Sequence, residues 1–165
     1  MDSITHSNAP ETGANNTIQQ TETLGRNYGI GLGIITALYL IIINIVSGDN
    51  ELSLSLRFAK HLLIIPVVWM AIATLAKSLP EGRIFKKELG LLLRIAAWGS
   101  ITLALINILF FAVTSTSFEQ FMQEGETILG VMINSGFLIF ETLVFVMIIG
   151  FVILQAYKGK GSPED

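Results

Sequence analysis

The chain has 165 residues, of which 52% are hydrophobic and 14% charged, with a formal net charge of −3 and no cysteine. A soluble domain carries about a quarter charged residues, so this composition belongs to a polytopic membrane protein. The acidic balance excludes a basic face for nucleic acid, and the lack of thiols excludes disulfides, thiolate nucleophiles and cysteine-held metals.

Residues 1–24 are rich in Thr, Asn, Gln, Ser and Glu and have no apolar period, which predicts a disordered polar tail. The first apolar run, 28–46, follows. Gly25, Gly29 and Gly33 recur every four residues and Ala37 continues the series. Small side chains on one helix face let a neighbouring helix approach closely, and this is the expected helix-packing surface. The wording Gly29-x-Gly31-x-Gly33 has no preceding strand and is not a nucleotide loop. Asn44 lies near the far end of this run.

The second run, 58–76, carries His61 near one end and Pro66 about two turns in, where a kink is expected. His61 is a candidate proton carrier. Leu79-Pro80-Glu81-Gly82 reads as a turn. The basic stretch Arg83, Lys86 and Lys87 then leads, as a short interfacial helix, into the third run, 91–113. Here Arg94 stands near the beginning, and Ser100, Asn107 and Thr114 share a seven-residue spacing. Trp98, like Trp69 in the second run, is expected to fill space inside a bundle. Phe118, Phe121 and Met122 suggest a segment lying along the outer interface.

The fourth run, 131–154, places Glu141 near its middle, with Asn134 and Gln155 in register along one side. A mid-membrane carboxylate costs roughly 3 kcal/mol on insertion scales, so Glu141 needs a reason. At about 1.5 Å rise per residue, His61 and Arg94 each lie on the order of 10 Å from it in depth. Asn44, His61, Arg94, Asn107, Asn134 and Glu141 together form the candidate intramembrane polar site.

Each run holds about 19–24 residues, and about 20 are needed to cross the hydrocarbon as a helix. Backbone groups in lipid must be bonded within the segment. The expected fold is therefore an all-α integral membrane protein, a four-transmembrane-helix bundle over 25–158 with short polar ends at 1–24 and 159–165. Lys77, Arg83, Lys86 and Lys87 lie between the second and third runs, while Glu119, Glu124 and Glu126 lie between the third and fourth. That asymmetry puts both termini in the cytoplasm of a multi-pass protein of the cell (inner) membrane.

Several short motifs carry a resemblance. They are Tyr28-Gly29, Ser55-Leu56-Arg57-Phe58, Ile84-Phe85-Lys86-Lys87, Phe140-Glu141 and Leu154-Gln155-Ala156-Tyr157-Lys158. In these the chain resembles, over roughly residues 25–158, a family of small four-span bacterial integral membrane proteins catalogued as a domain of unknown function. The resemblance implies the four-span fold and a cell-membrane location, and no activity.

No catalytic constellation, metal-ligand spacing or cofactor motif is present. The leading expectation is a non-enzymatic accessory or scaffold component, whose partners are the lipid bilayer and a homo-oligomer or larger membrane complex. The alternative is a small transporter or proton-linked channel using Glu141. A lipid-modifying membrane enzyme is third.

Overall fold

The computed structural model describes residues 11–47, 54–77, 84–117 and 126–158. Among these described residues five α-helices run in chain order: α1 Glu11–Ser47, α2 Leu54–Ala59, α3 Ile64–Ala76, α4 Ile84–Thr114 and α5 Ile128–Lys158. A 3-10 turn, Lys60–Leu63, joins α2 to α3. Among the described residues there is no strand.

Among the described residues three stretches are long and apolar enough to cross a membrane: Gln19–Val46 of α1, Phe85–Thr114 of α4 and Ile128–Ala156 of α5. Their 28, 30 and 29 residues span about 42–45 Å at 1.5 Å per residue, more than the roughly 30 Å of hydrocarbon. The chain is thus a helical membrane protein. The expected second span behaves differently. It is a broken helix over 54–76, and its apolar part, Lys60–Ala76, is shorter than the other three. Pro66 explains part of the break. It sits in the first turn of α3, where its missing N–H is tolerated. The preceding residues tighten into the 3-10 turn, with the Ile64 N–H bonded to the His61 carbonyl. The proline therefore ends one helical segment and begins the next, and does not bend a continuous helix.

Helix α1 begins at Glu11, inside the segment expected to be a disordered tail. A polar stretch costs little to continue once the following apolar turns have nucleated the helix. Tertiary contacts also hold it there. Thr21 is buried, Leu24 packs against the core, and Glu22 reaches Arg94.

Register follows from close approaches. Gly29 lies against Trp98 and Gly33 against Thr102, so α1 and α4 run parallel. Gly150 meets Leu92 and Ser135 meets Asn107, so α5 runs antiparallel to α4. The beginning of the α1 span and the end of the α5 span therefore share one end of the bundle, here the lower end, with Gly25 and Arg94. Tyr28 bonds Thr74 at 3.1 Å near that end, and the Tyr39 hydroxyl donates to the Leu56 carbonyl at 2.9 Å further up. The segment 54–76 thus descends along α1.

A lower core cluster gathers Leu32, Val68, Ile72, Leu75, Leu92 and Val146, and a smaller upper one gathers Ala37, Leu40, Leu103 and Leu138. The upper ends are capped by side chains and a backbone reversal. The Thr127 hydroxyl accepts the Gly130 N–H at 2.9 Å as the N-cap of α5. Ser115, at φ 60°, turns the chain out of α4.

Trp69 and Trp98 are each 42% exposed. They lie on the outside of the bundle and do not fill its interior. The basic stretch at Lys86 and Lys87 is the first turn of α4, continuous with the long helix. The turn at 79–82 and the segment with Phe118, Phe121 and Met122 lie outside the described residues.

Candidate functional site

The helix register sets the depth of Glu141. The antiparallel pairing of α4 and α5 puts it opposite Ile101, and the parallel pairing of α1 and α4 puts Ile101 level with Leu32. All three residues lie close to the centres of their membrane-length stretches. Glu141 therefore sits in the middle third of the bundle.

It does not sit there alone. Lys60 Nζ donates to Glu141 Oε2 at 2.7 Å, and His61 Nε2 lies 3.3 Å from Oε1. Lys60 is 3% exposed and His61 7%. The depth gap estimated from sequence for His61 is closed by side-chain direction. A helical side chain leans towards its helix N-terminus, so Glu141 leans up α5 towards the 3-10 turn. The four-carbon stem of Lys60 lets its ammonium travel the rest of the way.

The imidazole is held from two sides. Its Nδ1 is 3.0 Å from the Phe58 carbonyl, and because a carbonyl only accepts, Nδ1 carries the hydrogen. The ring lies on Phe145, with centroids 3.7 Å apart and planes 31° apart. Phe58 stands beside both, 5.8 Å from His61 and 6.4 Å from Phe145. These rings cover the cluster with apolar surface.

With Nδ1 committed, Nε2 of a neutral ring presents a lone pair towards a carboxylate oxygen. At 3.3 Å the contact is close enough for an ion pair, yet Nε2 has no partner with hydrogen-bond geometry. The approach becomes attractive when one proton sits on either Nε2 or the carboxylate. Lys60 supplies the fixed positive charge that balances Glu141. The site thus holds the Lys60–Glu141 ion pair with the His61 ring against the second carboxylate oxygen.

The other expected members are placed elsewhere. Arg94 does not approach Glu141. Its side chain leans down α4, where the guanidinium meets Glu22 Oε1 at 3.3 Å and the Gly90 carbonyl at 3.5 Å. Asn107 is fully buried and donates to the Ser135 hydroxyl at 3.0 Å, while Ser117 Oγ donates to Asn107 Oδ1 at 2.9 Å. Asn134 is fully buried next to it. These form an α4–α5 clasp towards the upper end. Asn44 is half-buried towards the upper end of α1. Thr114 and Gln155, which the seven-residue spacing placed on the polar seams, are exposed. Lys60, the member that sequence reasoning missed, carried a visible signal as a charge inside the apolar run next to His61.

The glycine series packs inside the chain. A Cβ on Gly25 would lie 2.5 Å from Arg94 Cβ, one on Gly29 2.7 Å from Trp98 Cβ, and one on Gly33 2.7 Å from the Gly99 carbonyl oxygen. Ala37 is 1% exposed in the upper core. Among the described residues no group of three His, Cys, Asp or Glu side chains is placed to hold a metal ion.

The clasp makes its own prediction. Asn107→Ala removes the bonds to Ser135 and Ser117, at roughly 0.6 kcal/mol each within a membrane bundle, and leaves a small cavity. We expect a loss of about 1–2 kcal/mol, measured as a lower unfolding midpoint of the detergent-solubilised protein, with Ser117→Ala costing about half as much. Equal midpoints for wild type and Asn107→Ala would show that the clasp does not contribute.

No family model, curated protein or solved structure matches the chain.

Proposed function

We propose that the chain is a four-pass membrane protein of the proton-linked transporter or channel class, with Lys60, His61 and Glu141 as its proton-binding site. One observation carries the proposal: a protonatable His61 Nε2 faces the Glu141 carboxylate at 3.3 Å beside the buried Lys60 ammonium. A charged cluster at this depth is costly to insert, and such residues in membrane spans mark ion and proton routes. Uptake of one proton from water forms the Nε2–H bond and takes the cluster from neutral to singly positive. Release to the other side restores it. Among the described residues at this junction, the 3-10 turn provides Lys60 and His61, α5 provides Glu141, α1 provides Tyr39 one turn above, and α4 provides the non-titrating Ser100.

The second span in this reading is 54–76, broken at its polar cluster as discontinuous transporter helices are. Both termini are cytoplasmic. Support comes from Arg26, Lys77, Lys86, Lys87 and Arg94, which belong to the lower end, against Glu126 at the upper end. The accessory reading loses one of its sequence motives, because the glycine face that could have received another chain is filled by α4.

The test is proton flux in liposomes carrying an internal pH dye, under imposed gradients of H+, Na+, K+ and Cl−. Wild type is expected to conduct or exchange protons, and Glu141→Gln and His61→Gln are each expected to lower the rate at least tenfold. A wild-type rate equal to that of empty liposomes under every gradient would overturn the proposal. A stoichiometric partner co-purifying with that inactive protein would favour the accessory reading.

A further inference from the structure

At the lower end of the bundle, Gln19, Glu22, Thr23 and Arg26 of α1 face Arg94 and Trp98 of α4 across an open groove of about 530 Å³. The four α1 positions follow the i, i+3, i+4, i+7 pattern of one helix face. The groove exists because α1 continues as a helix below its apolar run. It is unrelated to the Lys60–His61–Glu141 cluster.

We propose that this groove binds the headgroup of an anionic phospholipid, with Arg26 and Arg94 on the phosphate and Trp98 beside the start of the acyl chain. Three features converge on that ligand. The first is charge and donor geometry: two arginines can each offer planar paired N–H donors to phosphate oxygens. Arg94 has donors to spare, since its contacts to Glu22 at 3.3 Å and to Gly90 at 3.5 Å are longer than the roughly 2.7–2.9 Å of a tight charge-assisted bond. The second is depth. The Gln19–Val46 stretch overhangs the hydrocarbon by about 6 Å at each end, which puts Gln19, Glu22 and Thr23 at headgroup level and Trp98, level with Gly29, above it on the hydrocarbon side. The third is the amphipathic lining: Trp98 is 42% exposed about one turn above Arg94, on the acyl-chain side, and tryptophan is a side chain suited to the boundary between headgroup and acyl chain. A soluble phosphate compound would use the arginines and leave the indole without a role.

Glu22 is the built-in competitor. It occupies Arg94 in the structure, and a phosphate that displaces it restores a charge-assisted contact for the guanidinium. Removing the carboxylate is therefore expected to strengthen binding.

The test uses the full chain with Trp69→Phe, which leaves Trp98 as the single tryptophan fluorophore. The protein in neutral detergent is titrated with brominated phosphatidylglycerol and, separately, brominated phosphatidylcholine. Phosphatidylglycerol is expected to quench Trp98 at lower concentration. Arg26→Gln and Arg94→Gln are each expected to shift that midpoint upwards about fivefold, Glu22→Gln to shift it downwards, and the pair Lys86→Gln, Lys87→Gln to leave it unchanged. Equal midpoints for the two lipids overturn the proposal. So does a loss of selectivity in the Lys86, Lys87 variant, which would make the attraction a general surface charge. Displacement of the lipid by submillimolar inorganic phosphate would also overturn it, by assigning the groove to a soluble anion.

Discussion

Glu141→Ala is expected to destabilise the folded protein by about 3–5 kcal/mol, the cost of leaving a buried charge without its partner. The charge left behind is Lys60, which is 3% exposed and donates to Glu141 at 2.7 Å. His61 loses the carboxylate beside its Nε2 in the same substitution. The decisive comparison is a second variant, Lys60→Met with Glu141→Leu, which removes both charges and refills their volume. Replacing a buried pair by apolar residues of similar size is often neutral or stabilising, so the double variant is expected to regain most of the loss. Unfolding midpoints in mixed micelles with a denaturing detergent read both. A small cost for Glu141→Ala, no more than about 1 kcal/mol as for an exposed pair, would mean that water reaches Lys60 and that the cluster is not a closed site. The double variant has a further use. It is expected to keep the fold while losing proton flux, which separates failure of the bundle from failure of the proton site.

Glu141 stands out in the sequence because a carboxylate at the centre of an apolar run is costly enough to need a reason. Its partners were harder to read. Lys60 stands near the beginning of its apolar run, where lysine ordinarily snorkels to the interface, and nothing in the residue type says that it turns inwards instead. The helix break that aims it depends on Pro66 and on packing against Phe145. Depth counted in residues placed His61 and Arg94 equally far from Glu141. What separates them is direction. Glu141 leans up α5 towards His61, whereas Arg94 leans down α4 towards Glu22. Sequence spacing carries depth and face but does not rank two partners on opposite sides of the same residue.

The N-terminal boundary failed for a related reason. Composition over 1–24 reports that the stretch is polar, and a polar stretch in water stays unfolded unless something holds it. The holding contacts, Leu24 on the core and Glu22 on Arg94, come from a helix about 70 residues later in the chain, beyond any local pattern. The tryptophans failed in the opposite sense. Bulk suggested the interior, but among the described residues the bundle interior is filled by Leu, Ile, Val and Ala, and close α1–α4 approach leaves no room between them for an indole.

That approach supports the other large prediction. Gly33→Leu is expected to unseat α1 from α4, because even its first atom has no space. A Cβ at Gly33 would lie 2.7 Å from the Gly99 carbonyl oxygen and 2.7 Å from Thr102 Cβ. Neither neighbour is the free end of a flexible side chain, so the helices themselves must separate. Gly29→Leu meets the Ile95 carbonyl oxygen at 2.9 Å and the Gly99 nitrogen at 3.1 Å, and acts in the same way. Overpacking ordinarily costs about 1–3 kcal/mol, and where rigid backbone faces rigid backbone the upper part of that range applies. Gly31→Leu is the control, since nothing lies within 4 Å of its added Cβ. It sits on the same helix, two residues from both Gly29 and Gly33, and is expected to leave the unfolding midpoint unchanged or raise it, because leucine is a better helix former than glycine. If Gly31→Leu and Gly33→Leu lowered the midpoint equally, the loss would reflect side-chain bulk anywhere on α1, and the parallel α1–α4 seam would not be what holds Leu32 at the depth of Glu141. A selective loss at Gly29 and Gly33 ties the close seam to the position of the mid-bundle charge, because the same contacts set the register that places both.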